Sequence, residues 1–87
     1  MAQIGAEMEQ MLSLRATFDR ESGAVGELLS TLGSQLGSTW WVGPAAQRFR
    51  QQWDAQFAPT LRQLQSSLQE ASGEVQRRHD AILSAGS

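Results

Sequence analysis

The residues best suited to proton chemistry form one consecutive run near the end of the chain: Arg77, Arg78, His79 and Asp80. His79 is the only histidine, and a histidine beside a carboxylate suggests general acid–base work. Yet consecutive helical side chains point around the axis instead of converging on one substrate atom. The run therefore reads as a solvated helix face. Serines are numerous, but none has a histidine-centred context, and no phosphate loop or nucleophile constellation is present. Cysteine is absent, which removes disulfides, and oxygen ligands with a single histidine rarely hold structural zinc. The residues thus predict no catalytic site, no cofactor and no metal, and the chain reads as a non-enzyme.

Aromatic residues are the next candidates. Phe49, Trp53 and Phe57 recur every four residues. A base-stacking platform would need basic residues along a groove, and Asp54 interrupts the basic character that Arg48 and Arg50 lend to Phe49. This stripe is expected in a helical core. Trp40 and Trp41 lie in a glycine-rich segment, where two readings stand: a plug closing the end of a bundle, or a partner-facing anchor of the kind found at interface hot spots. Gly23, Gly26, Ser30, Gly33 and Gly37 form a small-residue stripe at steps of three and four. Interior glycine costs roughly 1 kcal/mol relative to alanine. Either a neighbouring backbone approaches closely there, or the helix end faces solvent.

The elements that must position these residues are legible from periodicity. The series Ile4, Met8, Met11, Arg15, Phe18, Ser22, Val25, Leu29, Leu32, Leu36 alternates steps of four and three, and eight of its ten members are apolar. The series Ala46, Phe49, Trp53, Phe57, Leu61, Leu64, Leu68, Ala71, Val75, Arg78, Ile82 has ten apolar members of eleven. Such spacing marks helix seams, not strands. One helix is expected over about 4–37, a loop over 38–43 and a second helix over about 44–83, all within a single domain spanning 1–87. Gly37 is placed to end the first helix and Pro44 to begin the second. Pro59 removes the donor that would meet the Ala55 carbonyl and disfavours helical geometry at Ala58. The apolar phase survives across it, so a kink is expected, not a break. Residues 84–87 read as a frayed tail.

The expected fold is all-α: an antiparallel hairpin of two long helices. Eighty-seven residues allow one small domain. A lone hairpin would leave each apolar stripe half exposed, and two hairpins packed face to face bury both as a four-helix bundle. The hairpin and dimer core is assigned to Met8, Met11, Phe18, Val25, Leu29, Leu32, Leu36, Phe49, Trp53, Phe57, Leu61, Leu64, Leu68 and Val75. A formal charge of −2 is too weak to indicate nucleic-acid binding, and the acidic first half argues against a membrane-surface helix. No signal-peptide pattern or membrane-length apolar run is visible. These features alone suggest a cytoplasmic helical adaptor or scaffold.

Trp41-Val42-Gly43 at the midpoint, the run Pro44-Ala45-Ala46-Gln47-Arg48-Phe49 and then Trp53 resemble the WXG100 family. These are small early-secreted-antigen-like proteins of type VII (ESX-type) secretion systems. The resemblance covers nearly the whole chain. It implies a hairpin that dimerises with itself or with a paralogous hairpin. It also implies secretion without a classical signal peptide, engagement of a secretion-system ATPase, and an export-recognition role for Trp41 and Gly43. Family dimers often carry Tyr-x-x-x-Asp/Glu after the second helix of one partner. This chain contains no tyrosine, and Gln76-x-x-x-Asp80 keeps only the spacing.

Overall fold

With no proline before Pro44, nothing removes a backbone donor from the first apolar series, and one helix, α1, runs through Ala2–Ser38. The computed structural model describes residues 2–86, with the backbone alone at positions 2–4. The Ile4 side chain, which opens the apolar series, and Ser87 of the expected tail lie outside the described residues. The chain turns through 39–43 and re-enters helix at Pro44. Helix α2 spans Pro44–Gln52, a π-helical turn spans Trp53–Phe57, and α3 spans Ala58–Gly86. The result is the all-α antiparallel hairpin expected from periodicity, a rod of 63 × 17 × 15 Å.

Gly37 does not end α1. The helix continues to Ser38, and among the described residues the only glycine with positive φ is Gly43. Instead the Thr39 N–H donates to the Gln35 carbonyl at 2.9 Å, and the last carbonyls are met from the other arm of the hairpin, as described below. At the far end Ser84, Ala85 and Gly86 form the final turn of α3, not a frayed tail, since no residue between Ile82 and Gly86 removes a donor.

The second arm accommodates Pro59 by a slip, not a simple kink. The Ala58 N–H donates to the Trp53 carbonyl, one residue farther back than in an α-helix. Ala58 stays helical at φ −63°, ψ −45°, against the expectation from the following proline. The ladder has already shifted to the wider spacing before the missing donor of Pro59 is reached. The slip also changes phase. Trp53 and Ala58, five residues apart, are both buried, whereas Phe57 is exposed.

The arms meet along a narrow seam of small and polar residues and one large aromatic, Trp53. Ser22, Ala46, Trp53, Ala58, Ser72 and His79 are buried there. Ser72 Oγ donates to Asp19 Oδ1 at 2.5 Å. Several large apolar residues lie to one side of this seam. Leu14, Leu28 and Leu32 each precede a less exposed α1 residue, and Phe57 and Leu64 each precede a less exposed α3 residue. One residue before the seam is about 100° around each helix. In two antiparallel right-handed helices those positions fall on the same face. The hairpin therefore carries one exposed apolar flank built from both arms.

Candidate functional site

The loop is shaped by two local constraints. Gly43, the N-cap of α2, adopts φ 113°, ψ 173°, a region essentially closed to residues with a Cβ. Pro44 then starts the helix with its φ already suitable, and the Gln47 N–H donates to the Gly43 carbonyl at 3.1 Å. Immediately before these anchors the chain presents three apolar side chains to solvent. Trp40 is 88% exposed, Val42 68% and Trp41 41%. Trp40 therefore does not pack against its own hairpin.

Trp41 is held without being buried. Its ring lies 6.1 Å from that of Phe49, tilted by 48°. Phe49 in turn lies 5.9 Å from Phe57. The three rings form a half-exposed ladder that continues the apolar flank up to the loop. Tilted aromatic pairs at these separations are attractive. The Arg50 guanidinium sits 5.8 Å from the Trp41 ring centroid, a cation–π distance. A shallow groove beside Trp41 is lined by Gln47, Arg50, Gln51 and Asp54.

Arg50 is the residue that sequence reasoning missed. Its Nε and Nη2 donate to the Leu36 carbonyl at 3.2 and 3.1 Å. Nη2 also donates to the Thr39 carbonyl at 3.0 Å, and Nη1 donates to the Trp41 carbonyl at 2.7 Å. One signal was available. Ala46, Arg50 and Trp53 share seam spacing on the second arm, and the expected hairpin places that seam opposite the electronegative end of the first helix.

The remaining assigned residues divide into two sets. Met8, Met11, Phe18, Val25, Leu29, Leu36, Leu61, Leu68 and Val75 are half-buried along the hairpin, and Trp53 is buried. Leu32, Phe49, Phe57 and Leu64 are exposed on the flank. The glycine stripe splits likewise. A Cβ at Gly26 would lie 2.7 Å from Gln65 Nε2 and one at Gly33 3.9 Å from Trp53 Nε1, whereas Gly23 and Gly37 have open space.

The run Arg77–Asp80 is not wholly solvated. His79 is buried in the seam, with Nδ1 3.2 Å from Asp80 Oδ1. Gln76 Nε2 donates to the same oxygen at 2.9 Å. Bonding to His79, then to Gln76, holds the Asp80 carboxyl below its ordinary value. Glu74 is lowered by its hydrogen bond and charge interaction with Arg77. These contacts lie within one helix, while the antiparallel seam turns His79 inward, which neighbour-by-neighbour reasoning misses. They tie the helix surface together. Among the described residues no cluster of histidine, cysteine, aspartate or glutamate could hold a metal, and no helix is long and apolar enough to cross a membrane.

The model of one protein family, WXG100, described as proteins of 100 residues with WXG, matches residues 3–87. No curated protein and no solved structure matches the chain.

Proposed function

The chain belongs to the WXG100 family, and from that premise we propose that it is a secreted type VII (ESX-type) substrate that acts as a dimerising interaction module. In this reading it is not an enzyme. Its partner is a second copy or a paralogous hairpin, and Trp41 and Gly43 contribute to the surface read by the secretion ATPase. The observation that carries the proposal is the presentation of Trp41: a large aromatic, 41% exposed, propped on Phe49 at the tip of a rod. Its neighbour Gly43 has a backbone that other residues resist.

The exposed flank supports the dimer. Leu14, Leu28, Leu32, Phe57 and Leu64 form one face drawn from both arms. Contiguous apolar faces of this kind mark association surfaces. Packing that face against its counterpart makes a four-helix bundle and covers it.

One observation favours a second reading, a helical adaptor that stays in the cytoplasm: the chain has no tyrosine for the export signal common in the family. The two are separated by comparing culture medium with cell lysate, with and without the secretion ATPase. Export that depends on the ATPase and falls at least ten-fold for Trp41→Ala, but not for Trp40→Ala, is the expected result. Retention of the unaltered protein in cells with a working system, whatever hairpin is co-produced, would favour the adaptor.

A further inference from the structure

We propose that Arg50 is the positioning residue of the loop, making the presentation of Trp41 conditional on a closed hairpin; this rests on the export-recognition reading above. All three guanidinium nitrogens donate, and they gather carbonyls from Leu36 in the last turn of α1 and from Thr39 and Trp41 in the loop. Carbonyls at a helix C-terminus lack intrahelical donors and carry the negative end of the helix dipole. A planar, always-charged fork meets several such acceptors at once, while its face remains available to the Trp41 ring.

The rest of the loop offers little competition for this role. The two other backbone bonds at its margins, Thr39 to Gln35 and Gln47 to Gly43, stay outside the segment 40–42. The Trp41 carbonyl is met by Arg50 at 2.7 Å. Arg50 belongs to α2 while Leu36 belongs to α1, so separating the arms removes the Leu36 carbonyl, which accepts two of the four guanidinium bonds. The loop then loses its tether at the same moment. Trp41 is thereby displayed in one orientation on a folded hairpin and in many on an open one. A recognition partner that reads Trp41 would discriminate folded cargo without touching either helix.

The test uses the full chain labelled with 5-fluorotryptophan, whose three fluorine resonances are assigned by single Trp→Phe variants. Export per folded molecule is measured in parallel in cells. Arg50→Gln should keep the helical circular dichroism and the Trp53 resonance, shift and broaden the Trp41 resonance, and lower export at least ten-fold. Arg50→Lys, which keeps the charge without the fork, should move the Trp41 resonance in the same direction, and it takes over the test if the glutamine variant loses helix. The inference is overturned if the Trp41 resonance stays in place in both variants. It is equally overturned if both variants export normally while Trp41→Ala does not. Normal export of Trp41→Ala instead removes the recognition reading itself, and the Trp41 resonance of Arg50→Gln then still reports whether Arg50 sets the loop.

Discussion

Ser22 and Gln65 exchange hydrogen bonds across the hairpin: Ser22 Oγ donates to the Gln65 carbonyl at 3.4 Å, and Gln65 Nε2 donates to the Ser22 carbonyl at 3.2 Å. Each residue offers both a side chain and a backbone group to the other. The pair therefore marks one longitudinal register, which a purely apolar seam would specify less sharply. Gln65 reaches Ser22 over Gly26, where a Cβ would sit 2.7 Å from the amide nitrogen.

Two glycine substitutions measure that contact. Gly23→Ala meets nothing within 4 Å and should stabilise the fold by about 0.5–1 kcal/mol through helix propensity. Gly26→Ala gains the same propensity but must turn the Gln65 amide aside, losing a bond worth about 1 kcal/mol. Its net effect should be near zero in urea unfolding. Equal stabilisation by both would show that the Gln65–Ser22 bond carries no weight.

Leu32→Asp with Leu64→Asp tests the flank as an interface. Both leucines are exposed in the single hairpin, at 38% and 46%, so the new charges are buried only on association. Sedimentation should show the dimer giving way to monomer, including any monomer that unfolds for want of its partner. A fully helical dimer of unchanged mass would place the interface elsewhere.

Gly43→Ala tests the strained link before Pro44. At φ 113°, ψ 173° an added Cβ costs on the order of 1–3 kcal/mol, although the space around it is open. The melting temperature should fall, or the loop should relocate and shift the Trp41 resonance. An unchanged melting temperature together with an unmoved resonance would mean that the backbone strain at this glycine is negligible.

The π-helical turn and Pro59 are predicted to be coupled. Deleting Ala55 removes the extra residue and lets Trp53 and Ala58 share the seam at ordinary α spacing, but it returns Pro59 to a regular helix. That should cost about 3 kcal/mol. Adding Pro59→Ala should recover most of the loss, because the ring clash and missing donor disappear. Additive effects in thermal unfolding would separate the slip from the proline.

Much of the architecture was readable along the chain because helix periodicity is a local property. The steps of three and four from Met8 to Leu36 and from Ala46 to Ile82 required two helices, and the gap holding Trp41-Val42-Gly43-Pro44 required a turn. The motif pointed to the family for the same reason: its residues are neighbours in sequence. The periodic stripes were wider than one seam, however, so spacing alone could not separate residues facing the other arm from those facing outward. Leu29 and Leu32 belong to one stripe, yet Leu29 is half-buried and Leu32 exposed.

That division belongs to the tertiary structure. Antiparallel packing buried the polar positions Ser22, Ser72 and His79 in the seam and left Leu14, Leu28, Leu32 and Leu64 exposed on a flank. The slip at Trp53–Phe57 then rotated Phe57 out and Ala58 in, a change of phase that no count of spacings reveals, since it depends on which carbonyl accepts the Ala58 N–H. Arg50 shows the limit most plainly. By sequence it is one arginine among seven. It holds the loop because folding brings the spent carbonyls of α1, fourteen residues away at Leu36, within reach of its guanidinium, and electrostatic complementarity across such a gap exists only once both helices are in place.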